Sequence, residues 1–274
     1  MNGDLDSVTH AAERATVAGA TSGRAIYPSL AGKRVFISGG GSGIGEGLVE
    51  AFVDQGARVA FCDIAVDQGE AVAARLGQGD GPAPLFLECD LRDAAAIAAV
   101  IAEAEAHLGG IDVVINNAGN DDRHSVEEVT PAYWDERMAV NLRHQFFVTQ
   151  AAVPAMKRAG GGAVINLGSI SWHLGLPDLV IYQTAKAASE GLTRGLAREL
   201  GRDNIRVTAI IPGNVKTPRQ EQWYTPEGEA EIVASQCLDG RLVPADVAAL
   251  ALFLASDDAR LITGHEYWVD AGWR

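Results

Sequence analysis

The feature that most constrains the fold of this chain is an alternation that begins at Lys33. Apolar runs of strand length are each followed by a longer segment of helical pattern: "RVFISG" precedes a helix opening at Gly43, "ARVAFCD" one through "AVAARLG", and "PLFLECD" the run "AAAIAAVIAEAEAHLG". "DVVINNAG" leads to one long stretch from Pro131 to Arg158, "AVINLGS" to a helix holding Tyr182, and "IRVTAIIPG" and "EYWVDAG" complete the series. Strands that are apolar throughout are covered on both faces, and strand–helix alternation implies parallel pairing with right-handed crossovers. The expectation is an α/β fold, a doubly wound parallel sheet of about seven strands with helices on both faces.

A chain of 274 residues, 47% hydrophobic and 21% charged, is long enough for one large domain with a well-buried core. Residues 26–274 are read as that single domain, with a substrate loop at 214–244, the longest irregular piece, expected to carry a short helix after Pro226. Residues 1–25 are read as an N-terminal extension of low order, rich in Ala, Thr, Ser and Gly without a clean period. The formal charge of −14 argues against nucleic acid, whose binding is dominated by cationic contacts to phosphate. It also disfavours anionic membranes, and no run approaches the length of a membrane span or of a signal-peptide core, so a cytoplasmic protein is the simplest reading. Cys62, Cys89 and Cys237 are widely spaced without a C-x-x-C pattern and read as buried, reduced thiols; no histidine has metal-ligand spacing, so no metal is expected.

"SGGGSGIG", residues 38–45, follows the first strand and opens the first helix. Glycines there let the backbone turn tightly and approach a pyrophosphate, whose charge the N–H groups of the helix N-terminus receive. This makes the sheet Rossmann-type, with Ser38, Gly39, Ser42, Gly43, Ile44 and Gly45 as cofactor residues. Asp63 ends the second strand, where a carboxylate accepts hydrogen bonds from the adenosine ribose hydroxyls. Such a carboxylate repels a 2′-phosphate, and neither the turn nor Ile64 supplies a cation, so NAD rather than NADP is expected. Asp90 and Leu91, ending the third strand, are placed to touch adenine, although a turn aspartate fits Asp90 nearly as well.

"GSISWHLGLPDLVIYQTAK", residues 168–186, brings a serine, a tyrosine and a lysine together without a histidine or cysteine nucleophile. Tyr182 and Lys186 share a helix face, and Ser169 sits at the C-terminal end of a strand, where open α/β sheets bind ligands. The combination of "SGGGSGIG", "NNAG", Ser169, "YQTAK" and "PGNVKT" resembles the short-chain dehydrogenase/reductase family over nearly the whole chain from about residue 26, with Ser38 where threonine is usual. The resemblance implies Tyr182 as general base, Lys186 as its cationic neighbour and a ligand of the nicotinamide ribose, Ser169 at the reacting oxygen, and Asn141 as holder of a proton-relay water. An asparagine in a helix can equally bond a neighbouring carbonyl. Lowering a phenol from its usual ~10 to ~7 takes roughly 4 kcal/mol, and one cation ~5 Å away at an effective dielectric of ~20 contributes about 3. The positive nicotinamide ring is expected to add the remainder.

The resemblance also places Asn117, Ala118 and Gly119 close to the cofactor, and Pro212, Gly213, Val215 and Thr217 against the nicotinamide amide; Asn116 is expected to tie the sheet together. The stretches "NNAGNDDRH", "GSISWHLGL" and "PGNVKTPRQEQWYTPEGEA" resemble bacterial NAD-dependent dehydrogenases of aldopentoses, which implies D-xylose as substrate with L-arabinose and other sugars open. Candidate sugar contacts are Asn120, Trp172, His173, Gln183, Asn214 and Trp223, alongside Ser169 and Tyr182. A polyol needs a polar lining and an aromatic surface for its C–H face, yet either tryptophan fits the core or a subunit interface equally well. The alternatives are a dehydrogenase of another sugar, a polyol or a cyclic alcohol, and, remotely, a non-catalytic NAD-binding regulatory protein. The resemblance further implies a homotetramer joined by the helix around 131–158, the helix of Tyr182 and the last strand.

Overall fold

The structure is a computed structural model and describes residues 25–79, 81–221 and 224–273. The N-terminal extension lies outside the described residues except for Ala25. Seven strands are found where the apolar runs predict them: β1 (Arg34–Ser38), β2 (Arg58–Asp63), β3 (Leu85–Glu88), β4 (Val113–Asn116), β5 (Gly162–Leu167), β6 (Ile205–Pro212) and β7 (Glu266–Val269). All pairs are parallel in one sheet of order β3-β2-β1-β4-β5-β6-β7. The order reverses direction between β1 and β4, and ligand crevices of open α/β sheets form at such a point, outside the carboxyl ends of the strands.

Side chains alternate between the two faces of each strand. Val35 and Ile37 of β1 join a core with Leu48 and Phe52 of α1 (Gly43–Asp54), Val72 of α2 (Val66–Leu76) and Leu252 of the later helix Pro244–Ala255. Phe36, between them, packs on the opposite face with Ile97 and Ile101 of α3 (Ala94–Leu108). Truncating a ring buried as completely as Phe36 or Phe52 to alanine costs about 3–5 kcal/mol.

The stretch Pro131–Arg158, expected as one helix, is three pieces: α4 (Pro131–Met138), a π-helical turn over Ala139–Arg143, and α5 (His144–Arg158), which tolerates Pro154. A π-turn inserts one residue into the helical ladder and re-aims the side chains on it. Here it carries Asn141. Next come α6 (Ser171–Leu174) and α7 (Val180–Leu200); within the irregular stretch 214–244 stand α8 (Pro218–Glu221) and α9 (Pro226–Ala234), the latter capped by Thr225 with proline in its first turn; α10 (Pro244–Ala255) closes the helical set. Cys62 and Cys89 are buried, but Cys237 is exposed, correcting the expectation of three buried thiols; it follows α9 at the surface, beside the C-terminal turn.

Candidate active site

A cleft of about 600 Å3 opens at the carboxyl ends of β1, β4, β5 and β6. Its first wall is the glycine turn between β1 and α1. Gly39 is in the left-handed region at φ 69°, and a Cβ on Gly45 would fall 1.7 Å from the Gly39 carbonyl oxygen, so only glycine lets the helix start this close to the strand. Ser42, at the N-cap, makes no side-chain cap bond, and the opening of α1 faces the cleft through Ser42, Gly43, Ile44 and Gly45. Uncapped amides at a helix start favour an anion. The cradle thus fits a pyrophosphate.

Asp63 stands beside this turn: its Oδ2 accepts from Gly41 N at 2.9 Å and its Oδ1 from Ala65 N at 3.0 Å. Ile64 next to it is exposed. Asp90, Leu91, Asn117, Ala118, Gly119, Pro212, Gly213, Val215 and Thr217 all line the same cleft. The Arg92 guanidinium holds the Asp90 carboxyl below its ordinary range. Ser38 is a correction: it is fully buried and does not line the cleft, and its Oγ accepts from Asn117 N at 3.1 Å and Ala118 N at 3.2 Å. Its hydroxyl fastens β1 to the end of β4. Asn116 ties the sheet as expected, donating to Asn166 Oδ1 at 2.8 Å and Thr149 Oγ1 at 3.2 Å.

Ser169, Tyr182 and Lys186 meet in this cleft. Ser169 Oγ accepts from Ser171 N at 3.1 Å and donates to the Ser171 hydroxyl at 3.0 Å. The Lys186 ammonium lies 5.5 Å from the Tyr182 ring centre and donates to Leu167 O at 2.8 Å. Lys186 is 2% exposed, and burial pushes it down to about 8, partly offset by Asp121. Burial, reinforced by Asp121, raises the Tyr182 phenol above its ordinary value, while Ser169 and Arg219 pull it down. The expected acidification is therefore absent from the chain by itself: desolvation of the phenolate outweighs the cationic help.

The side chain of Asn141 bonds backbone groups of two segments. Its Oδ1 accepts from Asn120 N at 2.7 Å, and its Nδ2 donates to Asn120 O and Arg137 O, each at 3.0 Å. The amide does not line the cleft and fastens the segment that does. His144, which sequence reasoning passed over, sits three residues on. Its Nε2 donates to Ala118 O at 3.0 Å, its Nδ1 is buried without a partner among the described residues, and burial together with Lys186 pushes it down to about 3, so it is neutral. A histidine one turn after the asparagine was the available signal.

Of the sugar candidates, Asn120 and Asn214 line the cleft and Trp223 lies outside the described residues. Trp172 and His173 do not line it. Trp172 Nε1 donates to Glu190 Oε1 at 2.8 Å, His173 Nε2 meets the same oxygen at 3.0 Å, and His173 is stacked between Trp172 and Trp268 of β7. One turn of α6 directs both rings toward α7 and the sheet edge. Gln183 likewise turns away, donating to Leu176 O at 2.6 Å. Absent from the candidates were Asp121, Arg219 and Gln220, which face the cleft from the 120–122 loop and α8.

Residues 39–274 match the family model described as enoyl-(acyl carrier protein) reductase. D-xylose 1-dehydrogenase of Caulobacter vibrioides is 66% identical over 250 residues, covering 91% of this chain and 99% of that one. A solved short-chain dehydrogenase/reductase of Serratia marcescens, a double mutant, superposes with TM-score 0.83 at 32% identity, covering 89% and 98% of the two chains. A 7α-hydroxysteroid dehydrogenase solved with NADH and 7-oxo glycochenodeoxycholic acid gives TM-score 0.85 at 29% identity, covering 90% and 96%. No helix among the described residues is long and apolar enough to cross a membrane. With the glycine turn, the parallel sheet and this agreement along almost the whole chain, the protein belongs to the short-chain dehydrogenase/reductase family, as an oxidoreductase that works with a nicotinamide cofactor.

Proposed function

We propose that the protein is an NAD-dependent dehydrogenase of aldopentoses, oxidising D-xylose at the anomeric carbon to its lactone. The observation that carries the reading is the convergence of Ser169, Tyr182 and Lys186 in the cleft that has Asp63 beside its glycine turn. The sugar itself comes from the likeness to the Caulobacter enzyme. When bound, the nicotinamide cofactor supplies the acceptor for the hydride leaving the anomeric carbon.

The protein's part is to orient that carbon and manage one proton. Tyr182 takes the proton of the anomeric hydroxyl, and Ser169 holds the same oxygen by a hydrogen bond. Burial raises Tyr182 in the chain alone, so positive charge added beside it favours the phenolate form. Lys186 supplies part of that charge and bonds the nicotinamide ribose. Asn141 holds Asn120 at the cleft and keeps the proton-relay water that the family resemblance implies. At the other end Asp63 receives the adenosine ribose hydroxyls, Asp90 and Leu91 flank adenine, the opening of α1 takes the pyrophosphate, and the segment from Pro212 to Thr217 meets the nicotinamide. Neither the glycine turn nor Ile64 supplies a cation for a 2′-phosphate, which favours NAD over NADP.

We read residues 26–274 as one domain with a substrate loop at 214–244, acting in the cytoplasm. The exposed rings of Trp134, Phe146 and Trp268 support a homotetramer, which sedimentation of the intact protein tests. The function is tested by following NADH formation with a panel of pentoses, hexoses, polyols and hydrophobic alcohols. Selective turnover of D-xylose supports the reading; turnover of a non-sugar alcohol alone, or of nothing, overturns it.

A further inference from the structure

The mouth of the cleft is crossed by a set of polar contacts between segments distant in sequence. Arg219 of α8 donates to Asn120 Oδ1 at 3.0 Å, to Asp121 Oδ1 at 3.3 Å and to Asp122 Oδ1 at 2.7 Å. Gln220 Nε2 donates to Asp121 Oδ2 at 2.8 Å. Its own Oε1 accepts from the Tyr224 hydroxyl at 3.3 Å, which holds the amide with its donor toward Asp121.

The two aspartates differ in what remains open. Asp122 is shared between two guanidinium groups, Arg219 and Arg137, and does not line the cleft. Asp121 lines it, and its side chain is one-third exposed. A carboxylate offers about four acceptor positions. Arg219 and Gln220 take one on each oxygen, so acceptor capacity remains on a group that lines the cleft. The charge of Asp121 is also felt at both Tyr182 and Lys186, which places it near the reacting end.

A ring sugar oxidised at the anomeric carbon carries neutral hydroxyl donors on its other carbons. A fixed carboxylate is an acceptor-only group that makes stronger hydrogen bonds to such donors than a neutral partner does. We propose that Asp121 is the specificity-determining residue for the sugar: its carboxylate accepts hydrogen bonds from ring hydroxyls remote from the anomeric carbon. Arg219 and Gln220 are positioning residues that hold it. The inference rests on the reading of the protein as a sugar dehydrogenase and deepens it with a residue that sequence analysis did not select.

The test compares the holoenzyme with Asp121→Asn and Asp121→Ala on D-xylose and its 2-, 3- and 4-deoxy analogues, with Gln220→Ala as a second variant. In the wild type, removing a hydroxyl that Asp121 reads lowers kcat/KM about tenfold or more, because a charge-assisted hydrogen bond to the substrate is lost. In Asp121→Ala that discrimination collapses to within about threefold, mainly through KM on D-xylose, while the NADH dissociation constant is unchanged. Asp121→Asn, which keeps the shape, shows the intermediate loss. An equal loss on D-xylose and every deoxy analogue overturns the proposal and leaves Asp121 a latch for α8; so does Gln220→Ala reproducing the whole effect. Should the wild type turn over another polyhydroxylated alcohol and no pentose, the substrate reading fails, and the same ratio taken on that alcohol and its deoxy forms still decides the role of Asp121.

Discussion

The two ends of the cleft are built by different means. The end proposed for the cofactor is made of strand termini and backbone: the Gly39–Gly45 turn, the end of β2 at Asp63, the end of β4 from Asn117 to Gly119, and the end of β6 at Pro212. The end proposed for the substrate is made of side chains on loops and short helices, held by contacts such as Arg219 to Asp122 and Arg241 to Asn214. The first follows from the winding of the sheet together with the glycines of one local turn. The second exists only if distant residues find each other, and it can change without disturbing the sheet. That division lets one scaffold keep its cofactor while its substrate differs.

The variant expected to separate the two ends most sharply is Tyr182→Phe. It removes only the proton acceptor, so kcat falls about 10^3-fold or more while NADH binding and the thermal midpoint stay at wild-type values. Retained turnover in stopped-flow or steady-state assays removes tyrosine from the chemistry.

Next in size is the response of Lys186 to pH in the cofactor-free protein. Its folded value of about 8 lies below the 10.5 of the free side chain, so between these the unfolded chain binds more protons and stability rises with pH. Relative to Lys186→Met, the wild type gains on the order of 3 kcal/mol across that window, read from urea midpoints. A parallel course of the two curves shows that Lys186 is not desolvated as described.

Asp63→Ser tests the far end of the cofactor half. Efficiency with NAD drops about tenfold to a hundredfold and discrimination against NADP shrinks, while the KM for sugar moves little. An unchanged NAD to NADP ratio refutes the role given to this carboxylate. The smallest effect is expected of Trp172→Phe and His173→Ala. Both rings lean on Glu190 and Trp268 rather than the cleft, so the KM for sugar changes by less than about threefold. A tenfold rise returns them to the substrate site.

How much of this was legible in the sequence follows the same division. All seven strands, the glycine turn, Asp63 and the Ser169, Tyr182, Lys186 set were readable, because periodicity, glycine geometry and helical spacing are local signals. The π-turn at Ala139–Arg143 was not, since no residue pattern in Pro131–Arg158 breaks the helical period. Trp172 and His173 lie close to Ser169 in sequence, but the direction of one short helical turn decides which way a ring points. Asp121 and Arg219 are separated by 98 positions, and their pairing depends on the fold of the loop carrying α8. For Ser38, position in a motif fixes the backbone, whereas burial fixes what the hydroxyl bonds.

In the proposed reaction hydrogen leaves the anomeric carbon as hydride while Tyr182 takes the hydroxyl proton. Its most direct test is turnover of D-xylose deuterated at the anomeric carbon, with mass spectrometry of the reduced cofactor and the solvent. The label is expected wholly in the reduced nicotinamide, at a rate slower than with unlabelled sugar. Label in water, or reduction of NAD without label, would contradict it.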